Sequence, residues 1–348
     1  MKVVIDDKIP YIRAAAELLF DKVVYLDGSS FKNNADVADA DALIIRTRTR
    51  CDESLLSGSN VRFVTTATIG FDHIDTAFMC RAGIEWTNCP GCNATSVAQY
   101  VRNAVLCLRE RSKREIKKVG IVGYGHVGRA VRRELEAIGC EVLLNDPPLQ
   151  RQMGTRESPF VSLQAVAEQC DVITFHTPLT KDGLFPTFHL ANRDFFEQLK
   201  QKPIIINSAR GGVVDEKALL QAYGEEKVSA MVIDTWEKEP NINLQLLQKA
   251  AIATPHIAGY SADGKSNATR MALKAVCKFF GIVIPDEQQF LKLTAAPPLP
   301  SHLFPSGDMV TDALLLYDPM EDSRRLKNCP EDFERLRGNY PLRREHWE

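Results

Sequence analysis

The run Val119-Gly120-Ile121-Val122-Gly123-Tyr124-Gly125-His126-Val127-Gly128 constrains this chain more than any other stretch, because an apolar strand leads directly into a G-x-G-x-x-G turn. Asp146 follows 18 residues after Gly128, at the end of a second apolar run, Val142-Leu143-Leu144. Each glycine has its own task in a mononucleotide-binding unit. Gly123 permits the tight turn, Gly125 lets a pyrophosphate approach the backbone, and Gly128 lets the following helix, predicted over 127–137, pack on the strand. An acid at position 146 accepts hydrogen bonds from both ribose hydroxyls and repels a 2′-phosphate, so the spacing predicts NAD rather than NADP.

The rest of the chain repeats this rhythm. Residues 2–6, 22–26, 42–45 and 61–65 are short β-branched apolar runs separated by helical patterns such as 11–19, as in a parallel sheet. From the glycine loop onward, 118–122, 141–145, 172–175, 203–207, 231–234 and 251–254 give six strands, the number a doubly wound dinucleotide fold uses. Between the two sets, Val97, Tyr100, Val101, Ala104, Val105 and Leu108 fall on one helical face, which predicts a helix crossing into a second domain. A second amphipathic stretch, 268–276, returns to the first. With 348 residues the chain is long for a single core.

Bulk composition excludes more than it identifies. A net charge of −2 with 25% charged residues carries no electrostatic footprint for nucleic acid. No apolar run reaches the roughly 20 residues of a membrane span, and the opening Met1-Lys2-Val3-Val4-Ile5-Asp6-Asp7 meets acids too early for a signal peptide. The expected location is the cytoplasm. Nine cysteines, an odd number, argue for reduced thiols. The pair Cys89-Pro90-Gly91-Cys92 could be a redox dithiol or half a zinc site, but nothing supplies the other half, and Pro90-Gly91 favours a turn before a helix. His73 lies between Asp72 and Asp75 without a second histidine and reads as a hydrogen-bonded loop, so no metal is expected.

Three further motifs sit near the C-terminal ends of consecutive late strands, where ligands of doubly wound sheets bind. They are Asn207-Ser208-Ala209-Arg210-Gly211-Gly212, Asp234-Thr235-Trp236-Glu237-Lys238-Glu239-Pro240 and Thr254-Pro255-His256-Ile257-Ala258-Gly259. Oxidising an alcohol beside a carboxylate requires a hydride acceptor, a base for the hydroxyl proton and a cation for the carboxylate. Histidine exchanges a proton near neutral pH when a carboxylate orients it, and arginine offers a charged planar fork.

In order and spacing these motifs resemble those of the D-isomer-specific 2-hydroxyacid dehydrogenases, over residues 1 to about 285. The resemblance implies Arg210, Glu239 and His256 as the catalytic set, with Glu237, two places earlier, the less suitable acid. It implies NAD held by Gly123, Gly125, His126, Val127, Gly128, Asp146, Thr177, Ser208, Ala209, Arg210, Asp234 and Gly259. It resembles most a branch of the family whose extra C-terminal segment dimerises. That branch acts on a short hydroxy acid with a carboxylate at one end and a phosphate at the other. Arg46, Thr47, Arg48, Thr68 and Tyr260 would bind this substrate; Thr47, Ile69, Phe71 and His126 depart from the branch's commoner residues.

The fold implied is α/β, with two doubly wound parallel-sheet domains. A flavodoxin-like substrate domain spans 1–95 and 257–290, a Rossmann domain spans 96–256, and a small C-terminal dimerisation domain spans 291–348. Hinges are expected near 93–97 and 257–262. The expected partners are a phosphorylated hydroxy acid and a second copy of the chain, and the tail arginines Arg337, Arg343 and Arg344 would reach the partner's site. Two alternatives stay open. One is another D-2-hydroxy acid, such as 3-phosphoglycerate or glycerate; the other is an NAD-sensing, corepressor-like binding protein.

Overall fold

The computed structural model describes residues 1–28, 31, 34–112, 115–154 and 158–347. Contact density divides the chain into one unit of Met1–Asn93 with Ser261–Leu299 and another of Ala94–Tyr260 with Pro300–Glu348.

The first unit is built on five parallel strands, β1 (Lys2–Asp6), β2 (Lys22–Leu26), β3 (Ala42–Ile45), β4 (Phe63–Thr66) and β5 (Glu85–Thr87), in the order β2-β1-β3-β4-β5. This is the flavodoxin-like order. Both faces are covered, which is why the central runs read as unbroken apolar sequence. Val3, Ile5, Ala42 and Ile44 pack with Ala272, Leu273 and Val276 of the helix Ala262–Phe280. Val4, Leu43, Ile45 and Val64 pack on the other side with Leu55, Leu56, Phe78 and Met79. Asp75 caps the helix Thr76–Ala82, Gly83 ends it at φ +68°, and the chain passes directly into β5, an edge strand that the sequence pattern did not reveal.

The second unit carries β6 (Lys118–Val122), β7 (Glu141–Asn145), β8 (Val172–Phe175), β9 (Ile204–Asn207), β10 (Ala230–Ile233) and β11 (Ile252–Ala253). These are the six expected strands. They are parallel in the order β11-β10-β9-β8-β6-β7, so the order reverses beside β6, where the glycine loop emerges. All six residues of the predicted apolar face of helix Ala94–Ser112 are buried in one core with Val119, Ile121, Val131 and Leu135.

The C-terminal segment is divided between the two units. Residues 291–299 group with the first unit and 300–348 with the second. Helices Met309–Leu316, Pro319–Asn328 and Phe333–Gly338 follow, and Leu326 and Phe333 sit in the second unit's own core. Burying each of these two side chains contributes about 2–3 kcal/mol. Polar contacts give the physical reason for the placement. Ser323 Oγ accepts from Ala253 N at 2.9 Å and Lys327 Nζ donates to Ala250 O, so helix 319–328 covers the open edge at β11. On helix Ala94–Ser112, the buried Asn103 amide donates to the carbonyls of Ala313 and Tyr317 at 2.9 and 2.6 Å, and Gln99 Nε2 donates to that of Arg344 at 2.8 Å.

Candidate active site

The nucleotide cradle forms where β6 ends. Gly123 adopts φ +96°, and a Cβ there would lie 2.8 Å from the carbonyl of His176, so the turn rests against the end of β8. Gly128 touches the turn itself, with its missing Cβ 2.1 Å from Gly123 O. A Cβ on Gly125, by contrast, would meet nothing within 4 Å. Helix His126–Ala137 begins there with no side-chain cap, leaving its first N–H groups for an anion. His126 is exposed and Val127 half-buried at its first turn. Asp146 Oδ2 accepts from Tyr124 N at 2.7 Å, so the acid is tied to the glycine loop as well as capping its own helix. Along the ends of β8 and β9, Thr177 Oγ1 and Ser208 Oγ are buried with no hydrogen-bond partner among the described residues. Open space at Gly125, an uncapped helix end and these two hydroxyls fit a bound dinucleotide.

Three loops at the ends of β9, β10 and β11 interlock. Asn207 ties down the Ser208–Arg210 turn, accepting from Ala209 N at 3.2 Å and donating to Arg210 O at 3.0 Å. A Cβ on Gly211 would lie 1.9 Å from Trp236 O, so this turn is pressed against the loop that carries Glu239. Arg210 Nη1 donates to Ala209 O at 2.8 Å, and the residue is half-buried.

Asp234, 1% exposed, spends its carboxylate on the third loop, accepting from Thr254 Oγ1 (2.7 Å), Ile257 N (2.7 Å) and Ala258 N (3.0 Å). These bonds bracket His256, whose N donates to Asp234 O at 2.9 Å and whose φ is +56°. The left-handed conformation is held by the surrounding bonds, as strained residues at functional sites are. Burial pushes the Asp234 carboxyl above the ordinary range, against the charge of His256 and the hydrogen bonds it accepts.

His256 Nδ1 faces Glu239, 2.8 Å from Oε2 and 3.0 Å from Oε1, and Trp236 N donates to Oε1 at 3.0 Å. Burial alone would raise the Glu239 carboxyl, but the hydrogen bond and charge of His256 hold it below the ordinary range, helped by Trp236 N and Arg337. Glu239 is thus an anion that fixes the ring through Nδ1 and leaves Nε2 for a substrate proton. Glu237 is engaged elsewhere, accepting from Glu216 N and contacting His189 Nε2, both at 3.1 Å.

In the first unit, Arg46 follows β3 and its Nη2 lies 3.0 Å from Oδ1 of Asp6, a fully buried acid at the end of β1. Arg46 Nε has no hydrogen-bond partner among the described residues. Thr47 and Arg48 are exposed on the same turn. Thr68 Oγ1 is 2.7 Å from Thr66 Oγ1, which in turn is 3.1 Å from His73 Nε2, so His73 belongs to a hydrogen-bonded loop. Asp6 was not singled out from the sequence, although an acid closing an apolar strand is a visible signal.

Tyr260 and the half-buried Gly259 end the His256 loop in the second unit, with the Tyr260 ring 6.3 Å from that of Tyr340. Two of the tail arginines are engaged within the chain. Arg337 and Arg343 contact their own chain: Arg337 lies 3.5 Å from Glu239, and Arg343, 8% exposed, donates to the carbonyls of Ile257, Ala258 and Tyr260 at 3.0, 2.7 and 2.8 Å.

Known proteins resemble this arrangement at three levels. Residues 96–258 match the family described as D-isomer specific 2-hydroxyacid dehydrogenase, NAD binding domain. An erythronate-4-phosphate dehydrogenase of Bacteroides thetaiotaomicron is 51% identical over 99% of this chain and 97% of its own. Among solved structures, the NAD⁺-bound 3-phosphoglycerate dehydrogenase of Entamoeba histolytica superposes with a TM-score of 0.65 at 26% identity, covering 81% of this chain and 95% of its own. The D-lactate dehydrogenase of Aquifex aeolicus, complexed with NAD and lactic acid, gives 0.63 at 25%, covering 82% and 100%.

Proposed function

The chain belongs to the D-isomer-specific 2-hydroxyacid dehydrogenase family, and from that premise we propose that it oxidises 4-phospho-D-erythronate at C2, giving (R)-3-hydroxy-2-oxo-4-phosphooxybutanoate and NADH. The place of such a reaction is the formation of pyridoxal 5′-phosphate, vitamin B6. Bound NAD supplies the hydride acceptor. Gly123, Gly125, His126, Val127, Gly128 and Asp146 would hold its adenosine and pyrophosphate half. Thr177, Ser208, Ala209, Arg210, Asp234 and Gly259 would hold the nicotinamide half.

The observation that carries the reading is the 2.8 Å contact between Glu239 and His256 Nδ1. With Nδ1–H bound to the anion, Nε2 takes the C2 hydroxyl proton as the hydride leaves, and Glu239 stabilises the imidazolium that forms. Arg210 turns its guanidinium from Ala209 O to the substrate carboxylate. Arg46, Thr47, Arg48 and Thr68 of the first unit bind the phosphate, and Tyr260 contacts the substrate. The C-terminal segment pairs two copies of the chain in a homodimer.

His256→Asn tests the role while respecting the backbone, because asparagine tolerates the left-handed conformation better than alanine. Turnover should fall by roughly 10³-fold with the NAD Kd changed by less than about threefold. A variant that kept a tenth of the turnover would remove His256 from the acid/base role.

A further inference from the structure

Arg337 stands on the helix Phe333–Gly338, where a charge-rich tail would ordinarily present its basic residues to water. Its Nη1 instead lies 3.5 Å from Glu239 Oε2, the oxygen closer to His256. Glu334, one turn earlier on the same helix, is 3.9 Å away, and the guanidinium also hydrogen-bonds the Tyr260 side chain. We propose that Arg337 is a positioning residue of its own chain's active site, holding the Glu239 carboxylate against His256 and setting the proton affinity of the pair. The inference rests on the acid/base reading of that pair.

The tail is fixed on both sides of Arg337. Phe333 is buried in the unit's core, and Arg343 binds the carbonyls that immediately follow His256. The helix is therefore tied to the same backbone that carries the catalytic ring.

The carboxylate is then accounted for atom by atom. Oε1 takes Trp236 N and shares the ring nitrogen, while Oε2 takes the ring nitrogen and lies against Arg337. Removing the guanidinium frees one oxygen to rotate out of line. Among the described residues, the charged groups that contact the pair or its backbone are Arg337, the buried Asp234 beside the His256 backbone and, behind Arg337, Glu334; Tyr260 adds a hydroxyl. Arg337 is the cation of this set. A cation next to an imidazole opposes its protonation and so favours the proton-accepting form that oxidation needs.

Arg337→Gln and Arg337→Lys test this, with two readouts. The first is the pH profile of kcat/KM on 4-phospho-D-erythronate. In Arg337→Gln its acid limb should move to higher pH. Its kcat should also fall about tenfold with the NAD Kd unchanged. Arg337→Lys should return the limb to its original position. The second needs no substrate: the rate of His256 carbethoxylation by diethylpyrocarbonate, followed by peptide mass, should show the same upward move of its midpoint.

The two readouts separate the two levels. If the unchanged protein failed to oxidise phosphoerythronate, the function would fall, yet the modification profile would still report on Arg337. A profile and a modification midpoint that stay in place in an NAD-binding Arg337→Gln protein overturn the proposal. So does a loss that lysine does not reverse.

Discussion

Alanine at Gly125 and at Gly128 should produce opposite failures, although the two glycines stand three residues apart in one motif. At Gly128 the new Cβ would lie 2.1 Å from Gly123 O and 3.1 Å from Gly123 C. Both are backbone atoms of the turn, so the helix must withdraw by about 1 Å, at a cost of about 2–4 kcal/mol. At roughly 2–4 °C per kcal/mol for a unit of this size, the apo protein should melt about 4–16 °C lower. At Gly125 the Cβ meets no atom within 4 Å, and the residue has φ −74°. The apo protein should lose about 0.5 kcal/mol, the difference between glycine and alanine at a helix cap. The methyl group occupies the space through which a pyrophosphate reaches the helix end, so the NAD Kd should rise more than about tenfold. Thermal unfolding without cofactor and NAD titration by protein fluorescence measure both quantities. A Gly125→Ala protein that melts as low as Gly128→Ala, or that binds NAD normally, would refute the assignment of the two glycines.

His176 gives a pH dependence of stability. Although the residue is half-buried overall, its Nδ1 is shut away without a partner, and burial drives its pKa down to about 3. The unfolded chain binds a proton below about 6.5 that the folded chain refuses, so stability should fall by about 1–2 kcal/mol between about pH 7 and pH 5. The same loss in His176→Asn would show that the group is not responsible. Arg48→Ala should raise the KM for phosphoerythronate by at least about tenfold and leave that for glycerate, which carries no phosphate, within about twofold. Equal effects on both acids would take Arg48 out of phosphate binding.

Strands β6 and β8 were legible to the residue because parallel strands buried on both faces are continuous apolar runs. β5 was not, since Glu85-Trp86-Thr87 is three residues long and only partly covered at a sheet edge. Glu239 and His256 could be read from motif spacing, and the geometry adds why Glu237 is excluded: it is committed to His189 and Glu216. The tail could not be read. Arg337 and Arg343 lie among charges that by pattern belong in water, and their partners are carbonyls and a carboxylate about 80–250 residues away, visible to no local rule. Likewise Ser96, Gln99 and Asn103 form a polar stripe beside an apolar helix face. The amides of Gln99 and Asn103 in that stripe donate to carbonyls of the C-terminal segment.

The most direct test is to mix the purified protein with NAD and 4-phospho-D-erythronate and follow NADH absorbance, with 3-phosphoglycerate and glycerate in parallel. The predicted result is NADH formation from phosphoerythronate with a kcat/KM at least roughly 10²-fold above that for the other two acids. NADH formed faster from either of the others, or none from any acid while NAD remains bound, would contradict it.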